Sequence, residues 1–340
     1  MNASIDALRR DGVAVADTAD GHALPVIDVT HPRFAVPDDA AGLAALDAAL
    51  KRNERQLRFV PAFLMRRMLS SAAKSSQLAR AMFAGEGTFL DGRSTYAMKL
   101  GADNLVPPFD SPMDRKFAAS PHVTSMRLRM QQVARLLADG LGEHLSPTDR
   151  RPLALANIGG GPAIDSLNAL ILLAREAPKR LDRSVTVHVF DLDKSASTFG
   201  GNALAAVTAP GGRLFGFDVA FRHHAYDWNH PRDLERLLDG LKLGEALLAA
   251  SSEGALFEYG SDDAIVDNLR VLHEAGAELV VGSVTRDDRA RARLVGADRF
   301  KVVPRGLRGF APLAARAGFA VGEPVLSTVW SDQVRLVKAT

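Results

Sequence analysis

The rhythm of hydrophobic and polar positions changes near residue 146, and the change divides the chain. Residues 1 to about 40 mix short apolar runs with Pro25, Pro32 and Pro37, a pattern that predicts an irregular arm. After Gly42, the spacing Leu43, Leu46, Leu50, Leu57 is helical. A second helical pattern follows Pro61 through Phe63, Met68, Leu69, Leu78 and Met82. The stretch "DGRSTYAMKLGADNLVPPFDSP", Asp91 to Pro112, has turn signals at both ends and reads as a loop holding one short element. Ser120 and Pro121 then supply an N-cap and a first helical residue, and the stripe Val123, Met126, Met130, Val133, Leu137 predicts a long helix. Residues 1–145 are therefore expected to form a mainly helical lid or dimerisation domain.

From Leu153 onward, β-rich runs alternate with helical stretches. The runs are "LALANI", "VTVHVF", a weaker one around "FGFDVAF", "ALLAA", "ELVVGSV", "FAVGEPVLSTVW" and "QVRLVKA". Such alternation predicts parallel βαβ units with helices on both faces of the sheet. The last two runs are separated only by Ser331-Asp332, which predicts an antiparallel hairpin. The expected fold class is α/β, with a Rossmann-like, seven-stranded, mostly parallel sheet in residues 146–340 ending in that hairpin. There are no internal repeats and no low-complexity tract.

Composition narrows the functional classes. The 340 residues are 47% hydrophobic and 24% charged, ordinary for a globular protein with a large core. A net charge of +2 gives little reason to expect nucleic acid or a membrane surface as partner. With no cysteine, disulfides, thiolate metal sites and cysteine nucleophiles are excluded. The first residues lack the apolar core of a signal peptide, and no apolar run reaches membrane-spanning length, so a cytoplasmic location is expected.

Chemistry enters at "NIGGGPAIDSL", residues 157–167, where a strand-like run meets Gly159, Gly160 and Gly161 and is stopped by Pro162. A phosphate-binding P-loop would close with Gly-Lys-Ser/Thr, and Pro-Ala-Ile stands there instead. The dinucleotide fingerprint fits in part, but Ile164 occupies the place of its third glycine. In "VTVHVFDLDKSA", Asp191 ends the second strand where ribose hydroxyls lie in such folds, with Leu192 and Asp193 beside it. Asp191 is preferred over Asp193 as the ribose ligand. That acid is shared by dinucleotide dehydrogenases and by enzymes that bind S-adenosyl-L-methionine (SAM).

The next motif separates the two. After the third strand comes "YDWNHP", Tyr226 to Pro231, and with it residues of about 150–340 resemble the class I SAM-dependent methyltransferase family. The tail "LAARAGFAVGEPVLSTVWSDQVRLVKA" is similar to the helix, turn and antiparallel final strand of that family. The resemblance implies SAM as cofactor. It implies that Asp227 meets the adenine amino group, that Trp228 flanks the ring, and that the glycines let the backbone pass the methionine half. One departure is Asn157, which stands where an acid often ends the first strand. The implied cofactor contacts are Asn157, Gly159, Gly160, Gly161, Pro162, Asp191, Leu192, Asp193, Asp227, Trp228, Ser251, Ser252 and Arg93.

In "AASSEGALFEYGSDD", residues 249–263, Glu253 is the first choice of general base or substrate-ammonium anchor, with Glu258 and Tyr259 beside it. Glu258 reads equally as a cap of the following helix, and Ser251 and Ser252 as its N-cap. In the Gly92–Leu105 stretch, Arg93, Tyr96 and Lys99 suit a lid. Arg93 would pair with a carboxylate of cofactor or substrate, and Tyr96 would close over the sulfonium; the alternative is a surface loop whose tyrosine packs on the body. His223, His224, His230 and Asp227 form no metal set, because adjacent histidines of an extended segment point to opposite faces. The basic stretch after Thr285 reads as a solvated helix with Asp287 and Asp288 near its start. No metal is expected. The activity implied is methyl transfer to a small-molecule acceptor, a natural product or amino-acid-like compound, releasing S-adenosyl-L-homocysteine (SAH), in a homodimer. "GGGPAIDSL" and "FDLDKSA" are also similar to nicotianamine-synthase-like enzymes, which move the aminocarboxypropyl group and release methylthioadenosine. A non-catalytic binding protein of the same fold is the third alternative.

Overall fold

A computed structural model describes residues 3–57, 62–83, 91–241, 244–287 and 302–339. The stretch 288–301, with most of the basic run and Asp288, lies outside the described residues.

The arm is helix α1 (Ala3–Arg10) and a short hairpin of β1 (Val15–Asp17) and β2 (Ala23–Pro25). Helices α2 (Ala40–Leu57), α3 (Ala62–Ser75) and α4 (Gln77–Phe83) follow. The segment read as a loop with one element is more ordered than that. Asp91 caps a helix, α5 (Gly92–Lys99), by accepting from Ser94 N at 2.8 Å. Ser111 and Asp114 then form a capping box that starts α6 (Pro112–Ala118). Arg93, Ala97, Met98 and Lys99 are good helix formers, and burial of Tyr96, Ala97 and Met98 completes what the turn signals hid.

Helix α7 (Pro121–His144) starts as expected, with Ser120 as N-cap and Pro121 in the first turn. It lies across the sheet beside α8 (Ile164–Glu176), and its Val133, Leu137 and Leu141 share one apolar cluster with Leu153 and Leu173. That cluster also takes in Leu8, Leu24 and Ile27 of the arm. Asn168 of α8 fixes the arm there, accepting from Val29 N at 2.8 Å and donating to Ile27 O at 2.9 Å.

The sheet has seven strands in the order β5-β4-β3-β6-β7-β9-β8. Its members are β3 (Leu153–Ile158), β4 (Val185–Phe190), β5 (Val219–His224), β6 (Leu247–Ser252), β7 (Leu279–Thr285), β8 (Phe319–Ser327) and β9 (Ser331–Lys338). The first five are parallel, and β9 runs antiparallel to both β7 and β8. Every residue of β3, β6 and β7 is buried, which is why they read as mostly apolar runs without polar alternation. Helices α8 and α9 (Lys194–Thr208) cover one face; α10 (Pro231–Gly240), α12 (Asp262–Glu274) and α13 (Gly306–Arg316) cover the other. A single turn, α11 (Leu256–Tyr259), follows β6.

Two boundaries differ from the sequence reading. The third strand starts at Val219, after a turn that leaves Phe215 exposed, so only the end of "FGFDVAF" is strand. The final hairpin turns at 328–330, closed by Thr328 N donating to Ser331 O at 2.8 Å, and Ser331 and Asp332 already belong to β9. Trp330 therefore sits at the tip.

Candidate active site

The site lies beyond the carboxyl ends of β3, β4 and β6, where the strand order reverses and open α/β sheets leave a crevice. Helices α5 and α7 cross above it and enclose a cavity of about 710 Å3, inside the usual range for small-molecule sites.

The glycine loop forms its floor. Gly159 has φ +68°, and a Cβ there would stand 2.7 Å from the Trp228 ring and 2.8 Å from Ala255 Cβ. At Gly160 a Cβ would fall 1.8 Å from Asn157 Oδ1. At Gly159 and Gly160 the loop thus has no room for side chains, whatever it binds. Asn157 itself does not line the cavity. Its Nδ2 donates to Asp165 Oδ1 at 2.9 Å, and it also contacts the Ser166 and Ser251 hydroxyls at 3.0 Å, so it supports the loop from below. Ser251 belongs to that buried cluster, and Ser252 donates to Ile158 O and accepts from Leu256 N, each at 3.0 Å. Both serines therefore lie beneath the wall rather than in it, and Ser252 tethers the start of α11 to β3.

At the end of β4, Asp191 faces the cavity. It accepts from Gly161 N at 2.8 Å and Asp193 N at 2.7 Å, and burial nevertheless pushes its carboxyl above the ordinary value. Each carboxylate oxygen keeps a second lone-pair direction for a ligand hydroxyl. Asp193 is tied up differently: Oδ1 caps α9 at Ala196 N (3.0 Å), and Oδ2 accepts from Gly92 N (3.1 Å), pinning the start of α5. Leu192 is 68% exposed at the rim. Pro162, Asp227 and Trp228 also face the cavity, with Asp227 Oδ1 accepting from Asn229 N at 2.9 Å.

Another part of the cavity wall is built by charges. Glu253 takes Lys99 Nζ on Oε2 and Arg129 Nε on Oε1 (2.6 Å), while Arg129 Nη1 reaches both oxygens of Glu258 at 3.0 Å. Ser283 donates to Glu258 Oε1 at 3.2 Å. Burial by itself would raise the Glu253 carboxyl, but the two cations outweigh it and hold it below the usual value. A carboxylate with both oxygens taken and a lowered pKa is a weak proton acceptor, so the geometry opposes the general-base role expected of Glu253. Below it, Asp165 is buried and raised, first by desolvation and then by the Glu253 charge.

Two further expectations are corrected. Arg93 does not line the cavity: it pairs with Asp20 of the arm and lies over the Phe109 ring. Tyr96 borders the cavity, but its hydroxyl donates to Pro25 O at 2.7 Å and accepts from Ile27 N at 2.9 Å. Its ring packs edge-on against Phe199 at 4.6 Å, and burial drives its pKa far up. It is a strut for the arm. Glu258 and Tyr259 do border the cavity.

Sequence reasoning missed His122, Met126, Arg129 and Trp330, which all face the cavity. The first three stand at i, i+4 and i+7 on α7, one helical face. Met126 belongs to the apolar stripe of α7, and the presence of His122 and Arg129 on its face is the signal in the sequence. Trp330 lies 5.0 Å from the His122 ring and comes from the hairpin tip, about 200 residues further on, which no local pattern links to α7.

His223 and His224 point apart as expected: His223 Nε2 contacts Asp191 O at 2.8 Å, and His224 Nε2 contacts His188 Nδ1 at 3.1 Å. Among the described residues no group of three His, Cys, Asp or Glu is placed to hold a metal. No described helix is long and apolar enough to cross a membrane.

No protein-family model matches the chain, and no curated protein matches it in sequence. Solved structures do match. A possible exported protein from Bordetella parapertussis is 16% identical with a TM-score of 0.56, covering 87% of this chain and 96% of that one. Magnesium protoporphyrin IX methyltransferase from Synechocystis PCC 6803 with bound SAH gives 14% identity and a TM-score of 0.43, covering 64% and 87%. LepI in complex with SAH and a substrate analogue gives 14% and 0.44, covering 88% and 95%. These likenesses concern fold. The strand order, with β9 antiparallel among otherwise parallel strands, is a Rossmann-like α/β arrangement.

Proposed function

We propose that the protein binds SAM and transfers its methyl group to a small-molecule acceptor, releasing SAH. The observation that carries this reading is the charge of the cavity wall. Among the described residues it holds Asp91, Asp191, Asp193, Asp227, Glu253 and Glu258 against two cations, Lys99 and Arg129, which are already paired with glutamates. A pyrophosphate cofactor would enter that field with added negative charge. A sulfonium suits it, the more so beside the Tyr96, Tyr226, Trp228, Tyr259 and Trp330 rings.

The residues present fit such a group. Asp191 would hold ribose hydroxyls, Trp228 and Leu192 would flank the adenine with Asp227 at its edge, and Gly159–Gly161 would leave room for the methionine half. Bound there, SAM supplies an electrophilic methyl group. The protein's part is orientation and exclusion of water, for which α5 and α7 provide the roof. For a hydroxyl acceptor, His122 in the cavity wall is the imidazole placed to take the proton, and Glu253 is not. The assembly proposed is a homodimer, checked by sedimentation.

Calorimetry with SAM, SAH and NADH tests this, alongside Asp191→Ala with its melting curve. Micromolar binding of SAM and SAH, lost in a folded Asp191→Ala, supports the reading; preference for NADH overturns it. In turnover with an acceptor panel, SAH is the expected product. Methylthioadenosine in its place would mean aminocarboxypropyl transfer, and binding without any turnover would mean a binding protein.

A further inference from the structure

The two edges of the sheet are not alike. β8 is interrupted by a register shift between Gly322 and Leu326 and holds Pro324, so it presents no continuous row of donors to another strand. β5, at the other edge, has neither bulge nor proline, and among the described residues it pairs with β4 alone. Its residues are half-buried and Arg222 is exposed, unlike the fully buried β3, β6 and β7. The bonds to β4 show which backbone groups face outward. Asp218 O accepts from Val185 N at 2.9 Å, and His224 O accepts from Asp191 N at 3.1 Å. Asp218, Ala220, Arg222 and His224 therefore turn their backbone toward β4, and Val219, Phe221 and His223 turn theirs away from the sheet. Beside this edge, Phe215 is 58% exposed, and half-buried Phe217, Val219 and Phe221 lie on the α9 side.

We propose that β5 is the surface through which two copies of this chain associate, as an antiparallel pair centred on Phe221 that joins their sheets into one. The outward residues are symmetric about Phe221, as a twofold interface requires. With Phe221 opposite its own copy, Val219 stands opposite His223 in both directions, and every outward N–H and C=O of the three finds a partner. The side chains agree with this register. The exposed Asp218 meets His224, whose Nε2 is the ring nitrogen spent on His188, and the small Ala220 meets the long Arg222. Neighbouring registers are poorer. Setting Val219 opposite Phe221 brings His223 to Phe217, whose N–H is already given to Leu214 O. The reverse shift sets Arg222 against its own copy, a like-charge contact. This inference rests on the homodimer reading and places its interface at the sheet edge rather than in residues 1–145; the SAM reading does not enter it.

The test combines sedimentation of the full chain with single-cysteine crosslinking. The chain has no cysteine, so one introduced thiol can pair only with its own copy. Across the twofold, the Cα atoms of a hydrogen-bonded antiparallel pair lie about 5.5 Å apart, within the span of a disulfide. Phe221→Cys is therefore expected to oxidise to a covalent dimer. Val219→Cys is not, because Val219 and its copy are four residues out of step, about 13 Å along the strand. Val219→Pro removes an outward N–H and none that bonds β4, so it should fold with little change in melting temperature and weaken dimerisation by at least about 10-fold. If the proline does unfold the chain, the two cysteine variants decide by themselves. A wild-type dimer that a folded Val219→Pro leaves intact overturns the edge pairing, as does equal crosslinking, or none, of the two cysteines; the homodimer reading survives each of these. A wild type that sediments as a monomer at every concentration overturns both.

Discussion

Lys99 and Glu253 are 154 residues apart in the chain, yet the lysine ammonium donates to Oε2 of the glutamate in the inner wall of the cavity. One partner ends α5 in the helical region, and the other directly follows β6 of the sheet. Together with Arg129 of α7 they make the roof and floor of the site depend on one charge cluster. Buried charges are costly to desolvate and weak evidence of stability, but breaking such a set by removing one member is expensive.

Glu253→Gln is therefore expected to destabilise the fold by roughly 3–5 kcal/mol, because Lys99 and Arg129 lose their shared carboxylate. The pH dependence gives the diagnostic. The Glu253 pKa is lowered from 4.5 in the folded protein, so its stabilisation is full above that value and is lost as pH falls through the lower folded value. Melting temperature measured from pH 7 to pH 3 should show a flatter acid limb in the variant. An unchanged acid limb would count against this account of the cluster.

Asp165 should behave in the opposite way. Its folded pKa is raised above 3.8, chiefly by burial, so its ionised form weakens the fold at neutral pH and the penalty disappears as pH falls through the folded value. Asp165→Asn retains an oxygen for Asn157 Nδ2 and removes the charge. It is expected to melt at the same temperature as wild type or higher at pH 7, with the difference closing in acid. A clearly lower melting temperature at pH 7 would mean that the carboxylate is stabilised by something other than its present partners.

Gly159→Ala places a methyl 2.7 Å from the Trp228 ring on a backbone of φ +68°. Strain of roughly 1–3 kcal/mol is expected from the dihedral alone, before any ring displacement. Gly12→Ala is the control: its φ is +81°, but a Cβ there meets nothing within 4 Å. Both variants carry the dihedral strain, Gly159→Ala should lose the more stability because its methyl also meets Trp228 and Ala255, and only Gly159→Ala should lose SAH affinity, by more than 10-fold. Equal affinities in calorimetry would remove the glycine loop from the site.

How far these relationships could be read in advance differs between sheet and roof. The strands were legible because β3, β6 and β7 are buried on both faces and so spell mostly apolar runs, and "AGF" marks the turn into β8. Asp191, Asp227 and the glycines were legible because they follow strand ends at short range. The roof was not. Arg129 pairs with glutamates more than 120 residues away, and Trp330 reaches His122 through a hairpin whose true turn is displaced from Ser331-Asp332. Helix α5 was masked by its glycine and aspartate, because the Asp91 cap looks like a turn signal until the burial of Tyr96 and Met98 is known.

Arg93 shows the same limit at one residue, and it gives the last prediction. From sequence it suits a carboxylate clamp, but it pairs with Asp20 at the surface, where the two side chains are 39% and 46% exposed. Exposed pairs of this kind contribute about 0–1 kcal/mol. Arg93→Ala should therefore cost little stability and leave the ratio of SAH to methylthioadenosine affinity within about 2-fold of wild type, since 1.4 kcal/mol is needed for each factor of ten. Lys99 stands six residues later, nearly two helical turns along α5 and lining the cavity, and the paired Lys99→Gln/Glu253→Gln exchange, which removes one charge of each sign, should change that ratio more than Arg93→Ala does. If Arg93→Ala abolishes the ratio and the Lys99 exchange preserves it, α5 must rotate on ligand binding to bring Arg93 inward. In that case the contacts of Asp193 with Gly92 N and of Tyr96 with the arm would have to break in the liganded state.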